Sequence, residues 1–132
     1  MKYLVDANIL VALFKRDDNT HHRAVKLVNK FKTERNQFLA LNLVIQESAT
    51  VISFKMGQAN ARRFYQGINA IIDHILPLDE TLEERSWEIF LEQTKKGTSF
   101  IDCANIAAIE QYKLDRILSF DAFYPKTLTL PS

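Results

Sequence analysis

The sequence predicts an α/β fold, a three-layer sandwich in which a mostly parallel sheet of four to five strands is flanked by helices. Short apolar runs rich in branched residues alternate with longer segments whose apolar residues recur at helical spacing, which is typical of parallel strands joined by helices. Length and composition agree with this class. A chain of 132 residues with 47% hydrophobic and 25% charged residues is sufficient for one hydrophobic core. We therefore predict a single domain over residues 1–132.

Each predicted element has a local signal. The apolar run 2–5 predicts the first strand, and residues 8–14 predict a short apolar helix. Thr20 or Asn19 is placed to cap a second helix that begins at His21. The complete set of predicted strands is 2–5, 37–41, 74–78 and 116–119, with a final apolar-polar alternation at 127–130, and the predicted helices are 8–14, 21–32, 43–55, 58–72, 79–94 and 100–112.

Glycine and proline mark several of these boundaries. Met56-Gly57 separates the two central helices, because glycine suits the end of a helix. Pro77 cannot donate a backbone hydrogen bond, so it predicts that the third strand lies at a sheet edge or stops there. The run 95–97, Lys-Lys-Gly, ends the fifth helix.

The net charge of +1 hides an asymmetry between the two halves of the chain. Residues 1–72 carry a balance of +6, and residues 73–132 carry a balance of −5. A basic half suits a polyanionic partner such as a nucleic acid, although two differently solvated surfaces explain the asymmetry equally simply. The candidates for contact with a nucleic-acid backbone are Lys15, Arg16, Arg23, Lys26, Lys30, Arg62 and Arg63.

Cysteine content and hydropathy predict the compartment. Cys103 is the only cysteine, which excludes an internal disulfide and fits a reducing cytoplasm. The apolar run 9–14 is too short for a membrane span or a signal core, and Asp6 precedes it. We expect a cytoplasmic protein without membrane association.

Four carboxylates stand where apolar segments start, stop or turn inward: Asp6, Glu47, Asp102 and Asp121. If these groups gather in one cleft, they repel one another and need a cation. Oxygen ligands favour hard cations such as Mg²⁺ or Mn²⁺ over zinc. The set therefore predicts hydrolytic metal chemistry.

Asp6 and Asp121 both follow predicted strands. Parallel sheets bind ligands at the carboxyl ends of their strands, so both residues are expected at the usual position of an active site. Each also has a simple structural explanation. Asp6 is suited to cap the helix that begins near Asn8, and Asp121 is suited to a turn.

Glu47 lies in a predicted helix whose polar face consists of Gln46, Thr50 and Ser53. At 100° per residue Glu47 falls on the other, apolar side, where an ionised carboxylate is costly unless it is paired or bound to metal. The alternative is a glutamate at the boundary, with a packed stem and a carboxylate that reaches water.

Asp102 has a strong structural explanation of its own. Ser99 and Asp102 have the spacing of a capping box, in which the serine caps the helix and the acid follows three residues later. The first turn of a helix also favours an ionised carboxylate. A cap and a metal ligand are compatible at this position.

Taken together, the segments 3–8, 99–104 and 118–121, with Glu47 in an apolar third helix, resemble the PIN-domain nucleases, and most closely the VapC-like toxins of toxin–antitoxin pairs. The resemblance covers essentially the whole chain. It departs from the family at Ser119, where threonine is commoner, and at Phe123-Tyr124, which replaces a single aromatic residue. All four carboxylates are retained.

The resemblance implies a Mg²⁺- or Mn²⁺-dependent endoribonuclease that leaves 5′-phosphate and 3′-hydroxyl ends. Asp6, Asp102 and Asp121 would be the main metal ligands, and Glu47 would orient the attacking water or help with a second metal. The supporting residues, which would hold carboxylates and bound waters, are Asn8, Ser99 and Ser119. The family also implies a homodimer and a cognate VapB-like antitoxin. The alternatives are a housekeeping PIN nuclease of RNA processing and a non-catalytic RNA-binding or scaffolding PIN domain.

Overall fold

Four parallel strands and six α-helices build the fold in a computed structural model that describes residues 1–130. The strands are β1 (Lys2–Val5), β2 (Gln37–Leu41), β3 (His74–Leu76) and β4 (Arg116–Leu118). The helices are α1 (Ala7–Phe14), α2 (His21–Phe31), α3 (Asn42–Met56), α4 (Gln58–Gly67), α5 (Glu80–Glu92) and α6 (Phe100–Tyr112). The predicted α/β class with a parallel central sheet is confirmed.

The strand order in the sheet is β3-β2-β1-β4, and every neighbouring pair is parallel. β1 lies in the interior, with Tyr3 opposite Phe38 of β2 and Val5 opposite Leu118 of β4. Because all four strands run in one direction, the residues that follow them emerge at one edge of the sheet. Asp6 leaves β1 at that edge, directly beside the end of β4.

The helices form two packed groups. α1 packs against α2 and α3, and α3 packs against α4, whereas α5 and α6 form a separate pair. The sheet is buried between them, since Leu4, Phe38 and Ile117 are fully inaccessible to solvent. Cys103 is also fully buried among apolar residues and belongs to the core. In the described part of the chain no helix is long and apolar enough to cross a membrane.

The structure differs from the predicted elements mainly around β3. The predicted helix 58–72 stops at Gly67 and continues as a 3₁₀ turn over Ile68–Ala70, which brings the chain round into the sheet. β3 ends at Leu76 rather than at residue 78, because Pro77 has no N–H to extend the ladder. It is an edge strand, as proline predicted. The alternation at 127–130 contributes one parallel bridge, between Thr129 and Ile117.

Gly57, between α3 and α4, allows a stability prediction. Its φ of +89° and ψ of 164° belong to a region that is essentially open to glycine alone. Gly57→Ala should therefore lower the free energy of unfolding by about 1–3 kcal/mol. No heavy atom lies within 4 Å of the added Cβ, so backbone strain is the only source of this cost. Urea denaturation measures it.

Gly67→Ala is the matched control for this prediction. Gly67 has a φ of −96°, and a Cβ there meets only the ring of Phe14, at 3.9 Å. The substitution should be neutral or stabilise the chain by up to about 1 kcal/mol, because alanine restricts the unfolded chain. Equal losses in both variants would show that strain at Gly57 is not the cause.

Candidate active site

A cleft of about 460 Å³ contains all four predicted carboxylates. Asp6 follows β1 and Asp121 follows β4, whereas Glu47 comes from α3 and Asp102 from the first turn of α6. The other residues that line the cleft are Ala7, Asn8, Val11, Asp18, Thr20, Val51, Lys55, Ser99 and Phe120. The fold therefore brings together acids that are widely separated along the chain.

Asp6 is the most enclosed of the four, with only 4% of its surface exposed. Its Oδ1 accepts hydrogen bonds from Ala7 N at 2.8 Å and from Asn105 Nδ2 at 3.3 Å, and its Oδ2 accepts one from the Ser119 hydroxyl at 2.8 Å. It is also the N-cap of α1. The capping role and the position in the cleft thus occur together.

Ser119 connects the end of β4 to the start of α1. Its hydroxyl oxygen accepts hydrogen bonds from Asn8 Nδ2 at 3.1 Å and from Asp121 N at 3.0 Å, and it donates to Asp6. Asn8 Oδ1 in turn accepts from Phe120 N at 3.2 Å. Ser119 therefore contacts the Asp6 carboxylate directly, whereas Asn8 acts on it through Ser119, and their part in metal binding stays a prediction.

Asp102 is half-buried, and its Oδ1 accepts a hydrogen bond from the Tyr124 hydroxyl at 2.9 Å. The predicted capping box is wrong. Ser99 is the N-cap of α6, but its side chain makes no capping hydrogen bond. The carboxylate of Asp102 is directed instead to Tyr124, which follows β4, so its placement serves the cleft rather than the helix end.

Glu47 lies in the cleft but not on a buried apolar face. Its side chain is exposed, whereas the buried residues of α3 are Val44, Ile45, Ser48 and Ile52. The prediction that Glu47 lies on a buried apolar side is wrong, because α3 has apolar residues on every side and they do not mark one buried face. The alternative of a boundary glutamate with a solvated carboxylate describes this residue correctly.

Asp121 is exposed at the rim of the cleft. Its Oδ1 accepts a hydrogen bond from Phe123 N at 3.0 Å, which stabilises the turn after β4. The predicted role of Asp121 in a turn is therefore correct. The turn holds this carboxylate beside the end of β1.

Burial and mutual repulsion raise the pKa of three of the carboxyl groups. Burial raises the pKa of Asp6, and the charge of Asp121 adds to the effect. The pKa of Asp102 is raised to about 7, chiefly by burial and also by the charges of Asp6 and Asp121, against the opposing hydrogen bond from Tyr124. The pKa of Glu47 is also raised, by partial desolvation of its carboxylate at the cleft, although the residue as a whole is exposed, and by the charge of Asp6. For Asp102, burial thus outweighs the expected stabilisation of the charge by the helix terminus.

The predicted basic residues are distributed over several surfaces. Arg23 lies over the ring of Phe120, a residue that lines the cleft, at 4.5 Å from the centroid of the ring. Lys15 pairs with Asp17 at 2.8 Å. Arg16 and Arg63 line a separate cavity of about 680 Å³. Arg62 is exposed on α4.

Sequence reasoning did not identify Asn105 or Tyr124, which connect Asp6 to Asp102. Asn105 is fully buried, and Tyr124 is 3% exposed. A signal for Asn105 was present, because an amide stands within the apolar run 103–108, three residues after Asp102 on the same side of the helix. Lys55 is a third unpredicted residue, the one basic side chain that lines the acidic cleft as the described residues form it.

The side chains of the cleft suit a hard divalent cation by their chemistry. They supply carboxylate oxygens, and their mutual charge raises several pKa values, as expected where a compensating positive charge is needed. Within residues 1–130, no three acidic, histidine or cysteine side chains already surround one ion position. Several carboxylate oxygens instead accept hydrogen bonds from the protein.

Comparison with known proteins identifies the fold family. The PIN domain family matches residues 3–127, which is nearly the whole chain. The chain belongs to the PIN domain family. Among curated proteins, none matches the sequence well enough to count as a relative. The resemblance inferred from the carboxylate motifs is therefore confirmed at the level of the family.

Solved structures of VapC-type proteins share this PIN fold. VapC20 of Mycobacterium tuberculosis, described as a sarcin-ricin loop cleaving toxin, is 21% identical with a TM-score of 0.81, covering 92% of this chain and 91% of its own. VapBC2 of Rickettsia felis, bound to a DNA fragment from its promoter, is 14% identical with a TM-score of 0.66 and coverages of 92% and 89%. FitAcB of Neisseria gonorrhoeae is 15% identical with a TM-score of 0.63 and coverages of 90% and 87%.

Proposed function

We propose that this chain, as a single PIN domain over residues 1–132, is a Mg²⁺- or Mn²⁺-dependent endoribonuclease of the VapC type. The proposal rests on one observation. Four carboxylates from separate parts of the fold line the same cleft: Asp6, Glu47, Asp102 and Asp121. Carboxylates that raise one another's pKa lower the stability of the folded chain, so their assembly in one place favours a functional role over a structural one.

Asp6, Asp102 and Asp121 are the proposed metal ligands, directly or through water. PIN domains generally use divalent metals, and the oxygen donors of this cleft favour Mg²⁺ or Mn²⁺. When bound, the cation supplies a nucleophilic water near neutral pH and offsets negative charge on the phosphate.

Other side chains of the domain orient the attacking water and position the metal ligands. The Glu47 carboxylate at the cleft mouth orients the attacking water and receives its proton. Asn8 and Ser119 hold Asp6 through the hydrogen bonds described above, and Ser99 contributes a polar group to the cleft wall. Hydrolysis then leaves a 5′-phosphate and a 3′-hydroxyl, as the family pattern implies.

RNA is the proposed substrate, and basic side chains around the acidic cleft would bind its phosphates. Lys55 lines the cleft, and Arg23 lies over the ring of Phe120, which lines it too, so both are candidates to contact the RNA there. Lys15, Arg16, Arg62 and Arg63 would extend contacts to the phosphate backbone. The likeness to VapC20, a toxin described as cleaving the sarcin-ricin loop, supports RNA over DNA.

The biological role that we propose is that of a toxin in a toxin–antitoxin pair. Support comes from the VapC-type structural neighbours, which include VapBC2 and FitAcB. A VapB-like antitoxin is accordingly the proposed protein partner. The homodimer and the cytoplasmic location remain predictions from the family and from the cysteine content.

Metal removal tests the catalytic proposal. With Mg²⁺ or Mn²⁺ present, the chain should cleave RNA, and excess EDTA should reduce the rate by a factor of about 100 or more, because the activated water is lost. Gel assays on transfer, ribosomal and messenger RNA measure the rate, and RNA incubated with metal alone is the control. Cleavage that resists EDTA, or no cleavage of any of these RNAs, would contradict the proposal.

A further inference from the structure

We propose that Asn105 and Tyr124 form a positioning bridge that fixes the carboxylates of Asp6 and Asp102 relative to each other for metal binding. Asn105 Nδ2 donates to Asp6 Oδ1 at 3.3 Å and to the Tyr124 hydroxyl at 3.0 Å. That hydroxyl donates to Asp102 Oδ1 at 2.9 Å. The bridge rests on the proposed nuclease function and adds two residues to its machinery.

The chemistry of the groups fixes the direction of these hydrogen bonds. The amide nitrogen of Asn105 has two hydrogens and no acceptor site, so its hydrogens go to Asp6 and to the oxygen of Tyr124. The hydroxyl of Tyr124 has one hydrogen, which must then go to Asp102. If the amide were rotated, its oxygen would face the Asp6 carboxylate, acceptor against acceptor. Both ends of the bridge therefore donate to a carboxylate.

Packing alone does not explain the bridge, because Asn105 and Tyr124 place polar groups in the buried core. Asn105 is 0% exposed and Tyr124 3% exposed, and polar groups at such places cost free energy unless they are fully hydrogen-bonded. Asn105 Oδ1 has no partner among the described residues. An apolar residue would fill the same space in α6 without this cost. The polar pair is therefore better explained by what it does to the carboxylates.

The bridge has a counterpart on the other oxygen of Asp6. There, Asn8 Nδ2 donates to the Ser119 hydroxyl, which donates to Asp6 Oδ2. In both cases an amide on a helix contacts a hydroxyl from the segment after β4, and that hydroxyl contacts a carboxylate. Since neither Asn105 nor Tyr124 lines the cleft, both act through the carboxylates that do.

Tyr124→Phe tests the bridge, because it removes the hydroxyl and keeps the ring in the core. The Kd for Mn²⁺ alone, measured by calorimetric titration, should rise about 10- to 100-fold. The kcat for RNA cleavage should fall by a similar factor, while KM for RNA stays within about twofold. Tyr112→Phe is the matched control, since this tyrosine is half-buried at the other end of α6. It should match the native chain in both measurements.

Asn105→Leu provides a second variant of similar volume and should give the same losses. If both act through one bridge, the double variant with Tyr124→Phe should lose little more than either single variant. Should Tyr124→Phe lose its cooperative thermal transition, Asn105→Leu alone carries the test.

The outcomes separate the bridge from the nuclease function. If the native chain binds Mn²⁺ and cleaves RNA, but Tyr124→Phe and Asn105→Leu do so equally well, the bridge is overturned and the nuclease function stands. A rise in KM alone would also overturn it, because Tyr124 would then act on RNA. A native chain that neither binds Mn²⁺ nor cleaves RNA overturns both.

Discussion

Replacing Asp6 or Asp102 with asparagine is expected to reduce RNA cleavage by a factor of roughly 10³ or more, with the folded structure retained. Asparagine has nearly the shape of aspartate but lacks the negative charge that would hold a divalent cation. At Asp6 the amide nitrogen also replaces one carboxylate oxygen, so its hydrogens face either Ser119 or Asn105, and each of these already donates to this residue. Single-turnover cleavage measured at saturating Mg²⁺ reports the loss.

Asp115→Asn is the control for both substitutions. This aspartate lies just before β4, at the opposite end of the sheet from the cleft, and its Oδ2 accepts a hydrogen bond from Lys2 N at 2.7 Å. The variant should cleave within about twofold of the native rate. Cleavage that survives both Asp6→Asn and Asp102→Asn would rule out the metal-nuclease mechanism.

The same variants address the toxin role inside cells. Induced expression of the native chain should arrest growth, and Asp102→Asn should not. Arrest that persists in Asp102→Asn would mean that toxicity does not come from cleavage.

Without metal, the domain is expected to lose stability as the pH rises from 5 to 8. The pKa of Asp102 is about 7 in the folded chain and 3.8 for an ordinary aspartate, so the folded state holds the proton more tightly. The stabilisation that the protonated Asp102 gives to the folded state is therefore complete below about pH 4, and it is lost as the pH rises through 7. The expected loss is about 2 kcal/mol, once solvent screening of a half-exposed group is allowed for. The raised pKa values of Asp6 and Glu47 act in the same direction.

Urea denaturation in EDTA at pH 5 and pH 8 measures this effect. The pKa values of Asp17 and Asp18 are lowered, so these groups change stability only below about pH 4 and do not obscure the window. Mg²⁺ added at pH 8 should restore stability, because it binds the folded state. Asp102→Asn should flatten the pH dependence. A native chain that becomes more stable between pH 5 and pH 8 would contradict the assignment.

Much of the fold could be predicted because its signals are local. The apolar runs that become β1 and β4 end directly before Asp6 and Ser119, and parallel strands place such ends together. The short β3 is also foreseeable from Pro77. Strand order, by contrast, depends on how the helices pack across the sheet, and no single segment of the sequence encodes it.

The site was predicted less completely, for physical reasons. Glu47 was assigned to a buried face because helical periodicity assumes one apolar side, whereas Phe54, two turns further along α3, is 86% exposed. Asn105 fits the rule that was applied to Glu47, since it is a polar residue surrounded by buried apolar ones. Tyr124 gives no such signal, because tyrosine is common in cores, and only the three-dimensional contact with Asp102 reveals its use.

The hydrogen bond between Ser119 and Asp6 joins residues 113 positions apart. During synthesis Asp6 is added first, and Ser119 follows 113 residues later, with Tyr124 after it. A nascent chain that stops before Ser119 holds Asp6 without the hydroxyl that orients it. The order of translation thus leaves the Asp6 carboxylate without its full set of hydrogen bonds until the segment after β4 has been added.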